Sequence, residues 1–372
     1  MSARPILTLI HSTHASLTGF KKTGLFERHC KLVREYAKTF DVVVYSNDVH
    51  DFAPELGVAH RFWRGMPRAF GWNHLVYYLW LVAQARQMRG VIKVLGSNIP
   101  TLPLVRWLSG APMLVTYQWD YAAQTRKNER GIKHWLAPLL EWLALAPADL
   151  VLVTVPWLEA KVQRVYHKKT ILLPNWVDLS ATRNALELAR CNGMILYAGR
   201  LHPSKGVDVL IRAFARIKPG FPNARLLICG DGEERARLES LIASLKINDV
   251  EFRGVLPNAE VLRLMAQTAI FVLPTVTMEG HPKSLIEAMA SGAACVVSDV
   301  PGNREMVEPE RTALIVPPKD VNVLACALEW LLADRELRSK LGENARAQAM
   351  QIDRDQMIEK EIQTLRSLQF KL

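Results

Sequence analysis

Two Rossmann-like, doubly wound α/β domains are what this sequence predicts, on three observations. The chain has 372 residues, more than one ordinary core organises. Short apolar runs alternate with helix-length segments along most of it, the pattern of parallel sheets covered by helices. The alternation comes in two series, separated by the polar, weakly patterned stretch 177–192.

In the first series, Ile6–Ile10, the valine-rich Asp41–Ser46, Val91–Leu95, Met113–Thr116, Leu150–Val155 and Ile171–Leu173 are short, apolar and bounded by turn residues, so each is expected as a strand. Leu25–Thr39 carries Leu25, Leu32, Val33 and Tyr36 on one side and is expected as an amphipathic helix. His11 to Lys22 is expected as a long loop. The second series repeats the style with strands Met194–Ala198, Leu226–Cys229, Ile270–Leu273, Ala294–Val297 and Ala313–Val316, and helices Val207–Ile217 and Glu233–Leu245. These expectations divide the chain into domains 1–180 and 181–350, followed by a C-terminal helix, 351–372, able to cross back to the first. A cleft between two such domains is the natural place for a site.

Apolar residues make up 49% of the chain and mean hydropathy is near zero, which fits a globular protein. Five scattered cysteines form no CxxC pair, which argues against a disulfide scaffold or a zinc site. The first residues run straight into a strand, so no signal peptide is expected. The most apolar stretch, Leu136–Leu158, contains Glu141, Asp149 and prolines and reads as helix, turn and strand rather than a membrane span. The net charge of +11 is uneven: residues 1–180 hold +10 of it. Charge of that sign on one half suits a polyanionic partner, although a generically basic surface would look the same. Arg61-Phe-Trp-Arg64-Gly-Met-Pro-Arg68-Ala-Phe-Gly-Trp72 interleaves cations with aromatics ahead of an apolar helix, Leu75–Ala85. That composition suits the headgroup zone of an anionic membrane, and an ordinary core helix behind a basic loop is the competing reading.

The chemistry concentrates in the second half. After the Ala269–Leu273 run comes Glu279-Gly-His-Pro-Lys-Ser-Leu-Ile-Glu287-Ala-Met-Ala-Ser-Gly292. Pro282 suits an early helical position. Glu279 therefore belongs to the loop at a strand's carboxyl end, and Glu287 lies about a turn into the next helix. The helix start between them offers N–H groups to an anion. Tyr197-Ala-Gly199-Arg200-Leu-His-Pro-Ser-Lys205-Gly206 places two cations in a βα loop, where a guanidinium fork and an ammonium suit a diphosphate. Gly230-Asp-Gly232 lacks the third glycine of a dinucleotide fingerprint and reads as a turn pair. Asp353-Arg-Asp355 is literally DxD but reads as a surface helix start, so metal-independent chemistry is expected, with no cofactor beyond the donor substrate.

Together these segments resemble the retaining glycosyltransferases of family 4, whose architecture is GT-B. The matching text is Gly199-Arg-Leu with Lys205-Gly206, Cys229-Gly-Asp-Gly232, Phe252-Arg-Gly254, Phe271-Val-Leu-Pro274-Thr275, the Glu-x7-Glu of Glu279 and Glu287, and Gly302-Asn-Arg-Glu305, in order across about 170–345. The resemblance implies that Arg200 and Lys205 neutralise the leaving diphosphate, Glu287 binds the ribose, and Glu279 contacts the donor sugar. It implies that the helix start at Gly280, His281, Pro282, Lys283 and Ser284 meets the phosphate, that Gly199 and Leu285 also belong to the nucleotide-sugar site, and that Arg253 to Val255 lie along the nucleobase. The N-terminal half departs from the family. The glycine pair expected after the first strand is represented by Gly24 alone. The histidine expected after an inner strand is replaced by Tyr117-Gln118-Trp119-Asp120, with Asp120 or Gln118 in its place.

The implied function is transfer of a sugar from a nucleotide-diphosphate donor to an acceptor hydroxyl, with retention, on a lipid-linked or cell-surface glycan. The implied location is cytoplasmic, peripheral on an anionic membrane, with no nucleic-acid partner. Rival readings are a nucleotide-sugar epimerase or other GT-B relative, or a non-catalytic nucleotide-sugar-binding protein. An NAD enzyme is disfavoured by the incomplete fingerprint, and a phosphorylase by the lack of an identifiable pyridoxal lysine context.

Overall fold

A computed structural model describes residues 4–22, 25–64, 72–128, 131–177, 190–352 and 354–369. The chain divides into two compact units: Met1–Pro174 with Asp355–Leu372, and Asn175–Arg354.

The first unit is built on seven parallel strands: β1 (Ile6–His11), β2 (Asp41–Ser46), β3 (Ala59–Phe62), β4 (Val91–Leu95), β5 (Met113–Tyr117), β6 (Leu150–Val153) and β7 (Thr170–Leu172). Their order is β3-β2-β1-β4-β5-β6-β7. The order turns back at the β1/β4 pair, where Leu7 registers with Val91 and His11 with Leu95. β1, β2, β4, β5 and β6 are mostly buried apolar runs, as expected of strands covered on both faces. β6 stops at Val153, before the expected Val155, because Pro156 opens the next helix at its first position. Part of the expected loop 11–22 is ordered instead, as a turn at Thr13–Ala15 and a helix at Leu17–Lys22. The buried Asp48 carboxylate holds that helix start, accepting from the N–H groups of Leu17 (3.1 Å) and Thr18 (2.8 Å).

The C-terminal helix Arg354–Gln369 packs in this unit. On its inner face, buried Glu361 meets Lys93 of β4 and accepts from the Tyr36 hydroxyl at 2.8 Å, while the Lys93 ammonium also donates to that hydroxyl at 2.6 Å. Burial and the adjacent carboxylate push the Tyr36 phenol well above its ordinary pKa. Asp353 of the DxD lies outside the described residues, and Asp355 sits in the first turn of this helix.

The second unit carries six parallel strands: β8 (Cys191–Ala198), β9 (Arg225–Cys229), β10 (Val250–Gly254), β11 (Thr268–Leu273), β12 (Ala294–Ser298) and β13 (Ala313–Val316), in the order β10-β9-β8-β11-β12-β13. Here the order turns back at β8/β11, where Ile195 registers with Ile270. Every residue of β11 and β12 is buried. Helix Val207–Ile217 buries seven of its eleven residues, among them Leu210, Phe214 and Ile217, against this sheet's core. Cys30, Cys229 and Cys295 are buried and Cys191 and Cys326 exposed, all as free thiols. Burial pushes Cys295 up to about 12.

Candidate functional site

In an open parallel sheet, ligands bind outside the carboxyl ends of the strands where the order turns back. In the second unit, that point lies between the loops that follow β8 and β11. These are the loops that carry Arg200 and Lys205, and Glu279.

Three loops lock together there. The Val276 N–H donates to Ser204 O (2.9 Å), tying the β11 loop to the β8 loop. The Glu279 N–H donates to Pro301 O (2.9 Å), tying it to the loop after β12. Two glycines make this approach possible. Gly206 has φ +64°, and a Cβ there would lie 2.2 Å from Pro274 O. Gly302 has φ +90°, and a Cβ there would lie 2.3 Å from Glu279 O. Both positions combine a left-handed backbone with a neighbouring carbonyl, which only glycine tolerates.

Within this frame Lys205 Nζ donates to Glu279 Oε1 at 2.5 Å, and the Thr275 hydroxyl donates to the same oxygen at 2.9 Å. Lys205 is about a quarter exposed and Glu279 less. Arg200 projects into solvent, and its carbonyl accepts from the buried Tyr197 hydroxyl at 2.9 Å. Burial raises the Tyr197 phenol, and Glu279 adds to the rise, so it stays a neutral donor. The Gly199 N–H donates to Cys229 O (2.9 Å), which fixes the start of the β8 loop.

The helix after β11 spans Lys283–Ala290, with Pro282 as its N-cap rather than inside it. Gly280, Pro282, Lys283 and Ser284 are partly exposed at its start, whereas Leu285 is fully buried and its N–H bonds back to Pro282 O (3.1 Å). Glu287 faces inward, nearly buried, and Asn258 Nδ2 donates to its Oε1 at 3.1 Å. His281 is also nearly buried. Its carbonyl accepts from Asn175 Nδ2 (2.6 Å), and its ring Nδ1 has no hydrogen-bond partner among the described residues. Burial lowers its pKa to about 4, so the ring is neutral at pH 7.

Lys205, Glu279 and the start of the 283–290 helix are thus brought together. Arg253 and Val255 are not joined to that pair: they are exposed at the end of the edge strand β10, where Arg253 pairs with Glu251 at 2.9 Å. Thr275, Asn258, Tyr197 and Asn175 escaped the reading of the sequence. Thr275 and Tyr197 left a signal, Thr275 beside Pro274 and Tyr197 at the head of the segment that carries Arg200 and Lys205.

In the first unit, Gly24 lies outside the described residues. Asp120 follows β5 at the start of helix Tyr121–Asn128, where its Oδ1 accepts from the Ala123 N–H (2.8 Å) and pairs with Lys161 (2.7 Å). Lys161 also reaches Glu141 (2.7 Å) and the Tyr117 hydroxyl (2.8 Å). Glu141 is fully buried and further accepts from Tyr117 (3.0 Å), Tyr166 and the Ala122 N–H (2.6 Å). Asp120 is therefore anchored by a buried polar network that the sequence did not announce. Gln118 is exposed beside it.

Residues 181–348 match the family described as Glycosyl transferases group 1. Among curated relatives, the chain is 39% identical over 153 residues to an exopolysaccharide phosphotransferase of Streptomyces coelicolor, which is 41% of this chain and 16% of that protein. It is 34% identical over 176 residues to a GDP-mannose-dependent phosphatidylinositol monomannoside mannosyltransferase of Corynebacterium glutamicum, 46% of each chain. The match thus spans less than half the length of either relative. The fold is similar to that of Alr3699/HepE of Anabaena, solved in complex with UDP, at TM-score 0.75 and 18% identity, covering 98% of this chain and 100% of that one. Its two sheets and their covering helices make this a GT-B fold, within which residues 181–348 are similar to the group 1 glycosyl transferases.

Proposed function

We propose that this protein is a retaining glycosyltransferase that moves a hexose from a nucleoside-diphosphate donor to an acceptor hydroxyl of a lipid-linked or cell-surface glycan. The observation that carries the proposal is the Lys205–Glu279 pair at the turning point of the second sheet, beside the start of the 283–290 helix. A departing nucleoside diphosphate develops negative charge on its leaving oxygen. Lys205, held by Glu279, and the helix start would stabilise it from fixed positions, the arrangement that lowers a barrier most, and the solvent-facing Arg200 would add positive charge. Glu279, already holding Lys205, would accept from a sugar hydroxyl, and Glu287 from the ribose. Attack by the acceptor on the face from which the phosphate leaves retains configuration without a protein nucleophile. Asp120, on its buried anchor, is our choice for the donor-side contact in the first unit. Support for the donor class comes from relatives: the Anabaena protein binds UDP and the Corynebacterium enzyme is GDP-mannose-dependent.

The proposal includes a cytoplasmic, peripheral position on an anionic membrane. Among the described residues no helix is long and apolar enough to cross a bilayer.

The test is a thermal-shift screen over nucleotides and nucleotide-sugars, since a ligand of the folded state raises the unfolding temperature. A uridine or guanosine diphosphate, or its sugar, should give the largest shift. The responding donor is then incubated with glycan acceptors, and the anomer of the product is read by NMR. A screen without any nucleotide response would overturn the donor assignment, and an inverted product would overturn retention.

A further inference from the structure

Between the two cations of the β8 loop stands His202, in Arg200-Leu-His202-Pro-Ser204-Lys205-Gly206. Pro203–Lys205 make one tight helical turn, and His202 precedes it in extended backbone, where a side chain can serve the turn's first N–H groups. Pro203 has no N–H, so the turn's donors are those of Ser204 and Lys205. His202 holds both. Its carbonyl accepts from the Lys205 N–H (2.9 Å), and its ring Nδ1 accepts from the Ser204 N–H (3.2 Å). The Ser204 hydroxyl lies 2.8 Å from the same nitrogen. Ser204 is buried, and its carbonyl is the group that receives the Val276 N–H. One imidazole thus closes the turn that carries Lys205 and is tied to the loop leading to Glu279.

An imidazole nitrogen accepts only while it carries no proton. With Nδ1 accepting, the ring proton sits on Nε2, 3.4 Å from the largely exposed Glu233 carboxylate. Protonation sets a second N–H against that of Ser204. The Ser204 hydroxyl can turn and accept from it, but the backbone N–H cannot, and a buried donor loses its acceptor. Charged groups face the ring from two elements. Arg200 and Lys205, on its own loop, oppose protonation, and Glu233 and Glu234, on the loop after β9, favour it. Burial and the two cations prevail, and the ring's pKa lies below the ordinary 6.5. The ring is therefore neutral at pH 7, with Nδ1 free to accept, and loses that acceptor as pH falls through the lowered value.

We propose that His202 is a positioning residue of the diphosphate site, a proton-sensitive clasp that holds the Lys205 turn in place while its ring is neutral and releases it when Nδ1 takes up a proton. The ligand's identity rests on the proposed transferase function, the clasp on the geometry of the loop.

The experiment is titration calorimetry of the full chain with UDP-glucose and with GDP-mannose, at about pH 7.5 and about pH 5, in parent, His202→Ala and His202→Asn. Each phosphate of these probes carries a single strongly acidic proton, so neither probe changes charge in this window. Asparagine caps such a turn well and does not titrate. Between the two pH values the parent should lose at least about threefold more affinity for the probe it binds than His202→Asn does. At the neutral point His202→Ala should bind at least about threefold more weakly than the parent, and His202→Asn should restore the affinity. Titration of Glu279, Glu287 or His281 is common to parent and asparagine variant, so the difference between them isolates residue 202. Hydrogen exchange over 200–206, corrected for the intrinsic rate, reads the clasp without ligand. The segment should be protected in the parent at the neutral point and open at the acid one, open in His202→Ala at both and protected in His202→Asn at both. A parent and His202→Ala protein that bind and exchange alike overturn the clasp. So does parental binding that strengthens in acid and loses this gain in His202→Asn, which makes His202 a third cation on the phosphates. If neither probe binds the folded parent, the transferase reading falls, and the exchange pattern alone decides the clasp.

Discussion

Gly302→Ala is the substitution whose outcome the geometry fixes most tightly. The added methyl would lie 2.3 Å from Glu279 O, 2.7 Å from its carbonyl carbon and 2.8 Å from Gly280 O. All three are backbone atoms, so no side chain can swing away. Reaching ordinary contact requires a separation of about 1 Å. A left-handed backbone costs a non-glycine residue about 1–2 kcal/mol, and overpacking adds about 1–3 kcal/mol. A loss of roughly 2–5 kcal/mol should lower the unfolding temperature of a unit this size by roughly 5–15 °C. The movement would also pull on the Glu279 N–H···O Pro301 bond and carry Glu279 away from Lys205. Nucleotide affinity should therefore fall at least about tenfold, a change of about 1.4 kcal/mol. Thermal unfolding and titration calorimetry with UDP and GDP read the two effects. Gly254→Ala is the control for unfolding: its φ is +64°, but a Cβ there meets nothing within 4 Å, so only the backbone cost applies. A Gly302→Ala protein that unfolds with the parent and binds nucleotide equally would refute the locked-loop account.

Three further outcomes follow from the same coordinates. Lys161→Met leaves Glu141 buried with only its tyrosine and Ala122 donors, and should destabilise the first unit by about 3 kcal/mol, seen as a drop of roughly 6–12 °C; an unchanged melt would show that the network does not anchor Asp120. Deleting 354–372 removes Glu361 from the buried Lys93 and should cost about 3–5 kcal/mol, measured by urea unfolding; a shortened chain as stable as the parent would contradict that pairing. Burial holds His281 and His11 each at about 4 when folded, below the ordinary 6.5, so the unfolded chain binds more protons between these values. Stability should therefore fall as pH drops from about 6.5 towards 4, and His281→Asn should flatten part of that fall; a curve equally steep in the variant would count against a neutral buried ring.

The strands that the sequence displays most clearly are those buried on both faces. β11 and β12 are uninterrupted apolar runs because no residue in them meets water. β3 (Ala-His-Arg-Phe) and β10 (Val-Glu-Phe-Arg-Gly) are edge strands with alternating exposure, and neither shows as an apolar run. The short helix at 17–22 was hidden for another reason: its start is held by Asp48, some thirty residues on, a contact that local periodicity does not contain. The site divides the same way. Arg200, Lys205, Glu279 and Glu287 are legible because each occupies a fixed offset from a strand end. Tyr197 reaches the Arg200 carbonyl only three residues on, whereas Asn258, the partner of Glu287, and the Glu141–Lys161 network under Asp120 are set by which loops the sheet order makes neighbours. That information lies in the topology, not in the spacing.

The central claim is that the turning point of the second sheet holds a nucleoside diphosphate between Lys205 and the Glu287 helix. Calorimetric titration of the full chain with UDP and GDP, in parent, Lys205→Ala and Glu287→Ala, tests it most directly. One nucleotide should bind the parent, and each substitution should weaken it by about tenfold or more, with folding intact by circular dichroism. Binding of that nucleotide with parental affinity to both folded variants would contradict the claim.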